Sequence, residues 1–346
     1  MVRHMSDLEQ NPDEPFDLER APLDPPASFE TDWGGDGSDP TRPVRAHVLA
    51  ALRPAAGPYQ PPLDALLTLG DVTAEELERR RNELGIGQEH VPELIRMLRD
   101  RELATAMGDT PEAWAPMHAL HILADLDLSA HVEELVPLLD VDFDMVSDEL
   151  IEMLGSVGEP AIAPLQTYLA DRSRWVWGRS RAADGLRMIA EQQPETRDRV
   201  VAFLSEQLRT AEDDYEEAVS GVVSALADLK AVEALPLIRR AFELGKVDET
   251  IDGPWGDLLA TLGIEPDADD PLVAESLRRF EERQEQLFPR DLQDNLKPLR
   301  AQQQMERARA VQQASTQRHK QSKARKEKNK RKAAAASRKA NRKKRK

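Results

Sequence analysis

The chain has 346 residues, a formal net charge of −17 and no cysteine, which excludes disulfides, Cys-ligated zinc or iron–sulfur centres and thiol nucleophiles. Hydrophobic residues make up 40% but aromatics only 4%, so a core must be built mainly from Leu, Ala, Val and Ile, of which Leu and Ala favour helices. No apolar run approaches the ~20 residues of a membrane span, and no basic-then-apolar leader opens the sequence, so a soluble, cytoplasmic protein without a membrane span is expected.

The net charge conceals a division. Residues 316–346 carry 16 Lys and Arg against one acid, Glu327, while the rest carries 31 basic and 63 acidic residues. An acidic body is joined to a strongly basic end.

Residues 1–43 are rich in Pro, Gly and acids and show no sustained periodicity, which predicts a disordered acidic arm. From residue 44 a helical pattern begins and repeats. Four segments share a form: "HVPELIRMLRD" from His90, "HVEELVPLLD" from His131, "PAIAPLQTYLAD" from Pro160 and "AVEALPLIRRAF" from Ala231. Pro137, Pro164 and Pro236 fall early in three of them, where a missing backbone N–H is tolerated. A fifth segment, "RDRVVAFLSEQL" from Arg197, fills the gap between the last two. Each segment after the first follows an apolar helical stretch: "AWAPMHALHILADL", "DMVSDELIEMLGSVG", "WVWGRSRAADGLRMIA" and "DYEEAVSGVVSALADL". Alternating helices that cannot cover their apolar stripes alone predict an all-α fold, an α-solenoid of about five helix pairs over residues 44–289.

"EMLGSVGEPAIAPLQTYLAD", Glu152 to Asp171, resembles the HEAT-like repeat of the phycobilisome-lyase type, and "GRSRAADGL" resembles that repeat's first helix. The run from about Tyr59 to Gly263 is similar to a family of uncharacterised bacterial HEAT-like proteins. The resemblance implies a right-handed array of HEAT-like helix pairs and supplies no activity. Its lyase side implies the alternative function, a lyase-like or metal-dependent enzyme built on such repeats.

In "WAPMHALHILAD", Trp114, His118, His121 and Asp125 recur at helical spacing and form one stripe beside the core arc of Met117, Leu120, Leu123 and Leu126. Two imidazoles and a carboxylate would suit a divalent ion. The iron-binding HEAT-like enzymes use adjacent His-Glu pairs, and this chain has no His-Glu dipeptide. The stripe is therefore read as a partner-binding ridge, and no metal site is assigned. "DVDFDMVSDELIE" opens like a calcium loop but places Met145 where glycine is needed and Ile151 where a glutamate is needed, which excludes an EF-hand; Asp144 is read as the cap of the next helix.

"RSRWVWGRSRAADGL", Arg172 to Leu186, sets two tryptophans among four arginines. On a helix from about Arg174, Trp175, Ala182, Ala183, Leu186, Ile189 and Ala190 share the inward face. Arg179 also turns inward, where its head must find a carboxylate. Arg174, Trp177 and Arg181 fall on the outer face as a candidate partner-binding patch. The surrounding acids make a nucleic-acid groove here unfavourable.

After Gly263, Leu272, Leu277, Phe280 and Leu287 are expected to cap the array. Residues 290–346 form a Gln-, Ala-, Lys- and Arg-rich tail, read as disordered by itself. Its cations, Lys323, Arg325, Lys326, Lys328, Lys330, Arg331, Lys332, Arg338, Lys339, Arg342, Lys343, Lys344, Arg345 and Lys346, suit a polyanion. Without aromatics to stack on bases they favour phosphate over sequence, so RNA or the ribosome is the expected ligand, with DNA, anionic lipid and the chain's own acidic body as the alternatives. No nucleotide loop, nucleophile elbow or zincin motif occurs, and no catalytic residue or cofactor is assigned. The sequence thus predicts a non-catalytic interaction scaffold with an unknown protein partner on the solenoid and a polyanion on the tail.

Overall fold

The computed structural model describes residues 36–39, 41–106, 110–141 and 147–287. The segment before Asp36, the residues Asp142, Asp144 and Met145, and the basic tail residues Lys323 to Lys346 lie outside the described residues. Helices dominate, and among the described residues there is no strand, only an isolated parallel bridge between Arg53 and Asp100. No described helix is long and apolar enough to cross a membrane.

The chain divides into two compact units. The first runs to Asp252 and includes Asp257–Glu265; the second comprises Gly253–Gly256 and the chain from Pro266. In the first unit, α1 (Arg45–Ala51), α2 (Ala74–Leu84), α3 (Val91–Leu98), α4 (Arg101–Ala104), α5 (Ala115–Leu123) and α6 (Val132–Leu135) precede the longer helices. α2 shows how local signals set a helix. The Thr73 hydroxyl accepts the Glu76 N–H at 3.2 Å, and Gly85 in the left-handed region ends it. At the end of α1, the carbonyls that lack helical partners accept from two arginines instead. Arg99 donates to Ala51 and Ala50, and Arg101 donates to Leu49 and Leu52.

The segment from His131 departs from a single helix. It forms the four-residue α6 and then a 3-10 turn, Val136–Asp140. Pro137 has no N–H for the α ladder and crowds the preceding turn, so the chain tightens. Pro92 and Pro236 do fall in first turns, whereas Pro164 sits inside its helix, where Pro160 already occupies the opening turn.

Six helices then alternate: α7 (Ser147–Val157), α8 (Glu159–Ala170), α9 (Val176–Gln192), α10 (Arg197–Leu208), α11 (Glu216–Asp228) and α12 (Leu235–Glu243). α7, α9 and α11 pack in that order, as do α8, α10 and α12, and the connections from α7 to α11 bring sequential helices together. The four-residue α13 (Glu249–Asp252) lies on α11. α9, having neighbours on several sides, buries Trp175, Val176, Ala182, Ala183, Leu186, Ile189 and Ala190, which includes every position expected on its inward face.

Close approach demands glycine here. A Cβ at Gly178 would stand 2.3 Å from the Tyr168 hydroxyl and 2.4 Å from the Leu139 carbonyl oxygen. Gly178→Ala is expected to lower stability by about 1–3 kcal/mol through overpacking, measured as a fall in urea midpoint without a change in slope. An unchanged midpoint would show that the 3-10 turn and α8 yield freely.

The second unit contains α15 (Pro271–Leu287), and the first turn of α14 (Trp255–Thr261) begins within it. The Trp255 N–H donates to the Ser276 hydroxyl at 2.7 Å, and both residues are buried. Of the expected capping residues, Leu272 is buried, Phe280 half-buried and Leu277 exposed; the Leu287 side chain lies outside what is described.

Candidate functional site

The start of α9 gathers two buried charged clusters, around Asp140 and around Arg179 with Asp214. Trp175 caps the helix, and its indole N–H donates to the Thr41 carbonyl at 2.8 Å. The end of the 3-10 turn supplies Asp140, which is fully buried. Its carboxylate accepts from the Tyr168 hydroxyl at 2.8 Å and from Arg174 Nη1 at 2.5 Å, with the Trp175 N–H at 3.4 Å. His47 approaches the same carboxylate at 4.0 Å. Burial, and then the Asp140 charge and hydrogen bond, push the Tyr168 phenol far above its usual range, so it stays a donor.

A second buried pair lies one helical turn further along. Arg179 donates from both terminal nitrogens to Asp214 at 2.7 and 2.6 Å, and from Nε to the Leu169 carbonyl at 2.8 Å. This is the carboxylate partner that its inward position required. Burial alone would raise the Asp214 carboxyl pKa, but the hydrogen bonds and charge of Arg179 outweigh it and hold the group below its usual value.

The outward trio predicted from spacing separates into two kinds. Arg174 is engaged internally by Asp140 and by Asp171 at 3.2 Å. Arg181 rests over the Trp175 ring at 5.1 Å and, among the described residues, makes no hydrogen bond or ion pair; its Nη1 is buried without a partner. Trp177 is half-buried against Trp175, Val176 and Ala218. Tyr215, at the start of α11 one turn before Ala218, is 47% exposed. An unneutralised guanidinium and a half-exposed tryptophan thus share the outer side of α9. Arg and Trp are the side chains that dominate binding hot spots.

The Trp114 stripe is divided. α5 buries almost all of its surface, and His118 goes with it, its Nε2 2.9 Å from the Gly70 carbonyl. Burial lowers the His118 pKa and leaves the ring a neutral donor to that carbonyl. His121 is exposed, and Asp125 is held by Arg81 at 2.6 Å. Trp114 is half-buried at the helix start. The four residues do not converge, because a helix with neighbours around it turns His118 inward where the spacing placed it on an open edge. Among the described residues no three His, Asp or Glu side chains are grouped as a metal ion needs.

A cleft of about 330 Å3 lies between Pro58, Pro61, His90 and Arg96. Its polar groups serve the fold: Arg96 stacks on Tyr59 at 3.8 Å and pairs with Glu93, and His90 Nδ1 accepts the Gly87 N–H. Sequence reasoning missed Asp140, Tyr168 and Asp214. The inward Arg179 was the one signal that such a carboxylate existed.

Residues 81–252 match a family described as "Protein of unknown function (DUF1186)". The match begins within α2 and ends with α13, a narrower span than residues 59–263. No curated protein and no solved structure matches the chain.

Proposed function

We propose that the helix pairs stack as a right-handed α-solenoid of HEAT-like type and that the protein is a non-catalytic interaction scaffold. In this reading the α9 face bearing Trp177 and Arg181 holds a protein segment, and the tail cations from Lys323 to Lys346 hold a polyanion such as RNA. The ordered packing of α7 on α9 on α11, with α8, α10 and α12 alongside, supports the solenoid. The observation that carries the function is the contrast among arginines. Arg99, Arg101, Arg174 and Arg179 are engaged internally, whereas Arg181, among the described residues, pairs with no acid and lies beside a half-buried tryptophan.

Affinity capture with the full chain tests both halves. Trp177→Ala and Arg181→Ala are each expected to weaken retention of the same protein by about tenfold or more. Deleting residues 316–346 is expected to leave that protein bound and to remove RNA, whose retention in the intact chain falls steeply between 50 and 200 mM salt. Retention indifferent to both point variants would end the reading of the α9 face. RNA retained without the tail would end the reading of the tail.

A further inference from the structure

The Arg181 guanidinium presents an unanswered question of charge. Among the described residues, three acids of this part of the chain are engaged by other arginines. Asp140 and Asp171 take Arg174, and Asp184, on the next turn, takes Arg187 at 2.6 Å. Asp39 turns its carboxylate to the backbone and hydroxyl of Thr41, at 2.9 and 2.7 Å. A guanidinium with one nitrogen already out of water gains more from a carboxylate than a solvated one does, because less desolvation remains to be met.

The chain supplies a matching segment at short range. Thr41 is anchored on Trp175, the same ring that carries Arg181. Eight residues before Thr41 the sequence reads "FETDW", Phe29 to Trp33, two carboxylates between two aromatic rings. A stretch of that length spans up to about 27 Å, far more than the 5.1 Å between the Arg181 head and the ring centre. Residues 1–35 carry nine acids against two Arg and no Lys, so the charge also complements. Lys/Arg-rich segments, by contrast, would meet Arg181 with repulsion.

We propose that Phe29–Trp33 of this same chain docks on the Trp177–Arg181 patch, with the Glu30 and Asp32 carboxylates at the Arg181 guanidinium and an aromatic ring on Trp177. The proposal rests on the reading of this patch as a binding face. It makes the acidic arm an internal occupant that a partner must displace.

Limited chymotrypsin digestion of the full-length protein tests it. Phe29 and Trp33 lie inside the docked stretch and Phe16 outside it, so Phe16 serves as an internal standard. Arg181→Glu is expected to speed cleavage after Phe29 and Trp33 by about tenfold or more relative to Phe16, the weight of one charge-assisted pair. Glu30→Arg with Asp32→Arg in the native background is expected to do the same. Combining them with Arg181→Glu restores the pairing and the slow cleavage. Helical circular dichroism and melting temperature unchanged in each variant exclude unfolding as the cause; should Arg181→Glu unfold the chain, Arg181→Gln and the arm variants carry the test. Equal cleavage in wild type and arm variants, or no rescue in the combined variant, overturns the proposal. That outcome leaves capture through Trp177 untouched, so the two readings fail separately.

Discussion

Arg179→Ala is expected to lower stability by about 3 kcal/mol, because it leaves the buried Asp214 with only the more exposed Arg172 guanidinium, 3.7 Å away, as counter-charge. The pair is buried on both sides, with Arg179 1% and Asp214 8% exposed. The Leu169 carbonyl, which accepts from Arg179 Nε, loses its donor as well. Arg179→Lys is expected to recover only part of the loss, since one ammonium cannot span two carboxylate oxygens and the Leu169 carbonyl as the guanidinium does. The pH dependence has a definite sign. Asp214 ionises in the folded chain below the carboxylate's unfolded value, so its contribution is fully present above about pH 4 and is lost as pH falls through the folded value. Urea unfolding at pH 7 and at pH 2 reads both effects: a wide gap between wild type and Arg179→Ala at pH 7 that narrows as the pH is lowered. A gap below about 1 kcal/mol at pH 7 would mean that water or rearrangement replaces Arg179 without cost.

That pair also marks how far the sequence could be read. The 3.6-residue periodicity of "WVWGRSRAADGLRMIA" placed Trp175 and both alanines inside and required a carboxylate for Arg179. It did not identify Asp214, 35 residues on, because periodicity describes faces and not the distances between them. Helix type and order were legible for the same reason from α7 to α12, where each apolar stripe demands a neighbour. The segment from His131 misled. Its pattern is helical throughout, and only the backbone consequence of Pro137 ends α6 after one turn. His118 misled in another way. An i, i+4, i+7 stripe borders the core arc, and the packing around α5 decides which side of that border each ring takes. Asp140 was hidden by composition, since it opens an acidic run in which nothing local distinguishes the one carboxylate that three donors surround.

The largest effect of opposite sign is expected at Asp252, where removing a charge should stabilise. This residue of α13 meets α11 through the Ser224 hydroxyl, which donates to its Oδ1. Its Oδ2 is buried without a hydrogen-bond partner. Burial pushes the carboxyl up to about 7, the Ser224 and Ser220 hydroxyls offset this in part, and the negative charges of Asp248 and Asp228 add to it. The unfolded chain releases this proton near pH 4 and the folded chain only near 7. Between those values the folded state binds the extra proton, so stability falls as pH rises and is level beyond 7. The difference corresponds to on the order of 4 kcal/mol between pH 4 and pH 8. Asp252→Asn keeps an acceptor for Ser224 and carries no charge to desolvate. Its melting temperature should match that of wild type near pH 4 and exceed it increasingly up to pH 8. Melting curves for the two proteins that stay parallel across this range would show that Asp252 is solvated in the folded chain, and that α13 is not held to α11 by a protonated carboxyl.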